Sequence, residues 1–372
     1  MTTTVDGRAK NQQNRCNGGK QFLIALEYKM NFSKSLAATL IAGTSFFGAV
    51  AVAEEINVYS YRQPELLKPL TDAFEAQTGI KTNVLFAKNG LVDRLSSEGQ
   101  NSPADILLTV DVGRLDAMKK ADIWQPIPTD LTSVLPSNFV DPDGAWVALS
   151  ARARIFYVSR DRVDETAMTY EDLADPKWKG RVCTRSGQHS YTIGLVAAQI
   201  ANYGEETTKT WLEGVRDNLA RKPTGNDRAQ VKAIFSGECD IAIGNTYYMG
   251  KMVTNEEEPE QKDWAASVRL IYPDAENSKT HVNITGAGLA KNAPNLENAK
   301  KFIAFLLSEQ AQSIYAETNF EFPVVPGVAS SDLVASWGEL KADDLALVAI
   351  ADKRDDASKL VDEVKFDEGP QN

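Results

Sequence analysis

The stretch ADILLTV, residues 104–110, decides the fold class of this 372-residue chain. It is a nearly continuous apolar run, as in a parallel strand covered by helices on both faces. A helix over 112–120, VGRLDAMKK, follows at once. The same order recurs on either side. INVYSY (56–61) is a strand, and Pro64 then suits a first helical turn. Leu66, Leu67, Leu70 and Phe74 repeat at helical spacing until Gly79 stops the helix. KTNVLFA (81–87) leads to a helix over 90–98. A second series holds ARARIFYVS (151–159), GRVCTRS (180–186) with the helix YTIGLVAAQIANYG (191–204), and CDIAIG (239–244). Helices over 206–220 and 226–236 precede the last of these, and THVNITGAGLA (280–290) is the final strand. Helices over 294–306 and 309–317 come after it. Repeated βα units predict an α/β protein with mostly parallel sheets flanked by helices. Its length exceeds one such core, so two lobes with a cleft between them are expected.

Hydrophobic residues make up 43% and charged residues 24%, ordinary for a globular protein. The formal net charge of -11 argues against nucleic acid, which needs a basic stripe. The N-terminus reads as a leader. Met30 opens a segment with Lys34 as its positive end, Leu36–Val50 as its apolar run and Ala51-Val52-Ala53 as a small-residue cleavage site. Cleavage after Ala53 is expected, with residues 1–29 lying upstream of the true start. Residues 1–53 are then removed and the mature chain works outside the cytoplasm, in the periplasm. Cys183 and Cys239 remain in it. Treated as two parallel strands, they are staggered by about three residues, or ~10 Å. A bridge needs Cα atoms within about 7 Å, so two buried thiols are expected.

The catalytic motifs of common enzymes are missing. No G-x-S-x-G elbow, Walker loop or G-x-G-x-x-G turn occurs, and His189 and His281 are the only histidines. GAGLA (286–290) lacks dinucleotide spacing and suggests close strand packing. An enzyme is not expected. What remains is tyrosine at strand ends, where α/β sheets bind ligands. SYRQPE (60–65), SGQHSY (186–191) and GNTYYMG (244–250) place Tyr61, Tyr191, Tyr247 and Tyr248 there. Ordinary packing with a polar tip is the plain reading of each. Four phenols from both halves of the chain suggest convergence on one cleft. A phenol has a pKa near ~10 and ionises at neutral pH only beside a strong cation. Ferric iron suits such oxygen donors, whereas zinc favours His or Cys and calcium favours carboxylates. The alternative is a binding protein for an organic solute, a polyamine or a carboxylate, with the tyrosines stacking on it.

NTYYMG (245–250) after a buried strand, with DPKWKGR (175–181), resembles the periplasmic ferric-iron-binding proteins of iron ABC importers. FEAQTGIKTNVLF, NSPADILLTVDVGRLDAM, SARARIFYVSRD, SGECDIAIGNTYYMGK and THVNITGAG extend the likeness over residues 55 to about 340, and the tyrosine-rich cyanobacterial-type branch is the most similar. The resemblance implies a type II two-lobed binding protein that captures Fe(III) and hands it to an inner-membrane ABC permease, working as a monomer. It implies Tyr191, Tyr247 and Tyr248 as ligands. The family's first-loop His or His-Tyr is replaced here by Gln63 and Pro64, so Tyr61 is the available fourth ligand, with water or an anion as substitute. It implies an arginine of SARAR beside the metal, holding carbonate or citrate. One of Arg152 and Arg154 is expected to face the cleft, and Arg154 is preferred. Arg62, Gln63 and Lys251 are expected around the ligands, Asp111 is a minor ligand candidate, and His189 is expected in solvent. The lobes are expected as 54–150 with 280–328, and 151–279. Residues 329–372 form a C-terminal helical segment on the second lobe.

Overall fold

The computed structural model describes residues 54–274 and 279–371. The expected signal segment lies outside the described residues. Among the described residues, no helix is long and apolar enough to cross a membrane.

Among the described residues nine strands form the frame: β1 (Glu55–Ser60), β2 (Lys81–Phe86), β3 (Ile106–Thr109), β4 (Trp124–Gln125), β5 (Val147–Ser159), β6 (Val182–Cys183), β7 (Ile241–Asn245), β8 (Val268–Ile271) and β9 (Val282–Ala290). Their order is β2-β1-β3-β9-β5-β7-β6, with β4 on β9 and β8 on β5. β1 pairs in parallel with β2 and β3, as their apolar runs predict. The sheet as a whole is mixed, not mostly parallel. The reason is β5 and β9, which run antiparallel to each other and to their other neighbours. β5 is thirteen residues long and buried throughout. Val147–Ala153 pair with β9, and Arg154–Ser159 pair with β7 and β8. β5 therefore leaves β9 for β7 and β8 between Ala153 and Arg154.

Helix Pro64–Thr78 buries Leu67, Leu70 and Phe74, and ends at Gly79 in the left-handed region (φ 73°). Phe74 packs edge-on against Phe302 with ring centroids 4.9 Å apart. In the other lobe Ile155, Tyr157, Val231, Ile234, Ala242 and Met252 form a buried cluster. The glycines of GAGLA do serve close packing: a Cβ on Gly286 would lie 2.7 Å from the Val147 carbonyl oxygen, and one on Gly288 would lie 2.7 Å from that of Ala145. At the C-terminus, helices Leu347–Asp352 and Arg354–Glu363 pack on helix Ser190–Tyr203, and the first of them also on helix Val112–Lys120.

Cys183 and Cys239 form a disulfide, with Cα atoms 5.9 Å apart. The expectation of two free thiols fails because Cys239 is not in a strand. It lies in the turn after Gly237 (φ 79°), before β7 begins at Ile241. A stagger counted along two parallel strands therefore does not set the distance between these cysteines.

Candidate metal centre

The tyrosine pair is presented by β7 and the short helix after it. GNTYYMG is not a loop: Tyr247 opens a seven-residue helix, Tyr247–Val253. Thr246 fastens that helix to the interlobe strand, donating its N–H to the Ala153 carbonyl at 3.0 Å and accepting from the Ala153 N–H at 3.3 Å. Asp227, fully buried, accepts from the Asn245 N–H at 2.8 Å and pairs with Arg154 at 2.9 Å and Arg185 at 3.0 Å. Two cations make this buried carboxylate tenable. Gly250 is required by contact, since a Cβ there would lie 2.2 Å from the Phe320 ring.

The phenols of Tyr191 and Tyr247 stand 3.5 Å apart, and the rings of Tyr247 and Tyr248 stack at 4.2 Å. Tyr191 sits in the first turn of helix Ser190–Tyr203, capped by His189, whose Nδ1 accepts from the Tyr191 N–H at 3.1 Å. All three phenols line a cavity of about 230 Å³ together with Tyr61, Arg62, Gln63 and Arg152. Tyr61 also accepts from the Val92 N–H at 3.0 Å, and Arg114 lies 4.0 Å from its ring centre. Burial raises the pKa of Tyr247 well above its ordinary value, and neighbouring Tyr191 and Tyr248 add to this while Arg152 opposes it. Burial, Asp227 and Tyr191 likewise raise that of Tyr248. Tyr247 and Tyr248 therefore hold their protons at neutral pH.

Arg152, not Arg154, faces this cavity. Its Cζ is 5.6 Å from the Tyr191 ring centre, and its NH1 donates to Thr285 Oγ1 at 3.1 Å. Residues two apart on a strand share a face, so alternation does not separate the two arginines. Position does: Arg152 lines the cavity, whereas Arg154 does not and instead donates through NH1 to Asp227 and to Asn245 Oδ1 at 3.2 Å. Arg62 donates to Thr285 Oγ1 at 2.6 Å and to Glu321 at 3.0 Å. Burial alone would raise the Glu321 pKa, but Arg62, Arg152 and hydrogen bonds from Ser150 and Arg62 bring it below its ordinary value. The floor of the cavity thus holds two guanidiniums and one carboxylate, a net positive charge facing the phenols. Gln63 is at the mouth, where it precedes helix Pro64–Thr78. Lys251 lies beyond the tyrosine pair and donates to the Thr318 carbonyl at 3.0 Å; burial first, then Arg62, lowers its pKa.

Other sequence candidates are otherwise engaged. Asp111 caps helix Val112–Lys120 through the Gly113 N–H at 2.9 Å and accepts from Asn283 Nδ2 at 2.8 Å. His189 is a half-buried helix cap, not a solvated side chain; burial, with Arg185 and Arg154 nearby, lowers its pKa to about 4. Among the described residues, no group of three or more His, Cys, Asp and Glu could hold a metal ion. The oxygen atoms lining the cavity are those of four phenols, the Glu321 carboxylate, already paired with Arg62, and the Gln63 amide.

Residues 101–339 match the family model of bacterial extracellular solute-binding proteins. The chain belongs to this family. Within it, the chain is 44% identical over 313 residues to iron uptake protein A1 of Synechocystis, covering 83% of this chain and 87% of that protein. Ferric iron-binding protein A of Mannheimia haemolytica, solved in an open conformation, matches with TM-score 0.80 and 49% identity over 85% of this chain and 99% of that one. The Trichodesmium protein IdiA (FutA), solved with iron and citrate, matches with TM-score 0.80 and 39% identity over 84% and 99%. The likeness to the Synechocystis and Trichodesmium proteins places this solute-binding protein in the cyanobacterial-type branch.

Sequence reading missed several residues that shape this solute-binding protein's cleft: Asp227, Arg185, Thr285, Glu321 and Arg228. Glu321 carried a signal, a lone acid between Phe320 and Phe322, which marks a buried, paired charge. Asp227, in a polar stretch at a helix start, carried none. Arg228 lies 5.7 Å from the Tyr248 ring centre and lines a second cavity of about 420 Å³ on that side, with Lys251.

Proposed function

We propose that this protein captures Fe(III) in the cleft between its lobes and passes it to an inner-membrane ABC permease. The observation that carries this is the convergence of Tyr191, Tyr247 and Tyr248 on one cavity with a cationic floor. Tyrosinate oxygen is a hard anionic donor, which ferric iron prefers and divalent zinc does not. Tyr191, Tyr247 and Tyr248 are the ligands, and Tyr61 supplies the fourth. Arg152 neutralises phenolate charge and offers a planar pair of donors to a small anion such as carbonate or citrate. The names of the Synechocystis, Mannheimia and Trichodesmium proteins support iron as the cargo. Residues 54–150 with 280–328 form one lobe, residues 151–279 the other, and 329–372 a C-terminal segment. The protein acts as a monomer in the periplasm, after cleavage behind Ala53, and catalyses no reaction. The Cys183–Cys239 disulfide supports an oxidising compartment.

The test is an absorption titration of residues 54–372 with ferric citrate. A tyrosinate-to-iron charge-transfer band that saturates at one iron per chain is expected. Tyr248→Phe should abolish tight binding. A colourless protein that binds an organic carboxylate or polyamine instead would sink the iron reading.

A further inference from the structure

Arg354 opens helix Arg354–Glu363 of the C-terminal segment, far in sequence from every residue of the cleft. Its NH2 is 3.3 Å from Asp111 Oδ1, and its NH1 is 3.5 Å from Asp111 Oδ2 and 3.4 Å from the Ser190 carbonyl oxygen. Asp111 follows β3 and caps helix Val112–Lys120, in the lobe built on β1–β3. Ser190 opens the helix that carries Tyr191, in the other lobe. One guanidinium therefore touches the ligand-bearing ends of both lobes. Asp111 also accepts from Asn283, which pairs with Arg152 in the β5–β9 register. The contacts of Arg354 thus lead to Tyr191 on one side and to Arg152 on the other.

The backbone has been cleared for this side chain. A Cβ on Gly113 would lie 2.1 Å from Arg354 Nε, 2.6 Å from its Cδ and 2.7 Å from its Cζ. Gly113 is in the first turn of its helix and not in the left-handed region, so its conformation does not call for glycine. Glycine in a helix is a cost that needs a reason, and the stem of Arg354 supplies it. Gly194, one turn after Ser190, is in ordinary contact range of the same guanidinium, with a Cβ there 3.6 Å from Arg354 NH1 and 3.3 Å from His281 Nε2.

We propose that Arg354 is a positioning residue for metal capture: it holds the start of the Tyr191 helix against the opposite lobe. The C-terminal segment is then a strut across the hinge, not an appendage. The proposal rests on the iron reading above. Removing the guanidinium frees the Tyr191 helix to shift relative to Asn283 and Arg152, which loosens the phenolate shell without touching a ligand.

The test compares the parent with Arg354→Gln, Arg354→Lys, Gly113→Ala and, as control, Lys359→Ala, an exposed position on the same helix. Ferric citrate is titrated in, the charge-transfer band is recorded, and iron release to a competing chelator is timed. Arg354→Gln should release iron roughly tenfold faster, a coupling of ordinary size between linked sites, with a shifted band. Gly113→Ala should reproduce both changes while every charge is retained, because its methyl occupies the place of the arginine stem. Arg354→Lys should fall between, and Lys359→Ala should match the parent. The proposal is overturned if Arg354→Gln and Gly113→Ala keep the parent's band and release rate, including the case where only the melting temperature falls. A parent that gives no band overturns the iron reading, and this proposal with it.

Discussion

At the scale of single residues, the cleft is a contest between burial and charge. Burial keeps the Tyr247 and Tyr248 phenols protonated, while Arg152 pulls the other way at Tyr247 and the Tyr247 hydrogen bond and Arg185 do so at Tyr248. Their pKa values are raised, so binding a cation as phenolate must release protons. Iron affinity therefore rises with pH and falls as pH falls, by up to roughly a thousandfold per pH unit if three protons leave. A pH-stat recording of protons released per iron, between pH 6 and 8, measures this directly. Arg152 is predicted to matter for iron and Arg154 for folding. Arg152→Met should weaken iron roughly 10–100-fold, the usual cost of losing a group behind metal ligands, and shift the charge-transfer band. Arg154→Met leaves Asp227 with one cationic partner instead of two, and should lower the urea midpoint more than it alters the band. The position of Tyr247 and Tyr248 directly after β7 was legible because their adjacency behind an apolar run singles them out. The choice of arginine was not. Residues 152 and 154 share a strand face, and the acid that claims Arg154 lies 73 residues away.

Among secondary-structure elements, long periodic ones were readable and short ones were not. Helices such as Pro64–Thr78 and Ser190–Tyr203 announce themselves through spacing and end signals. Helix Tyr247–Val253 has under two turns, too few for a period to show, so its sequence reads as a loop. β6 is two residues long, and Cys239 lies outside any strand, which is why the disulfide escaped a register argument. Helix Tyr247–Val253 is positioned by contact rather than by propensity. Its Gly250 lies against Phe320, and Phe320 itself sits in the left-handed region (φ 57°). Gly250→Ala should raise intrinsic helix propensity yet push the element away from Phe320. The expected result is a lower urea midpoint together with weaker iron binding, since both tyrosines ride on the displaced helix. An iron titration of the variant, run beside its unfolding curve, checks both; improved stability with parent-like affinity would contradict the packing argument.

For the whole molecule, the strand-helix repeats were enough to give two lobes, but not the way the lobes are joined. β5 reads as one strand in sequence, and nothing in its residues marks that it changes sheets between Ala153 and Arg154. That change comes from which strands lie beside it, a long-range fact. The same holds for the disulfide, whose partners are 56 residues apart. It encloses helices Ser190–Tyr203, Glu205–Asp217 and Asp227–Phe235. In the chain-entropy account, a loop of this length restricts the unfolded chain by about 4 kcal/mol. The bridge lies outside the cavity that holds the phenols. Stability and iron binding should therefore separate when it is removed. Cys183→Ser with Cys239→Ser should lose up to about 4 kcal/mol in urea unfolding, while the charge-transfer band and one-iron endpoint persist wherever the variant remains folded. If the band is lost under conditions where the far-ultraviolet circular dichroism is still native, the bridge shapes the phenolate site itself. The lobe would then not be the rigid support that β6, β7 and the buried Asp227 pairings make of it.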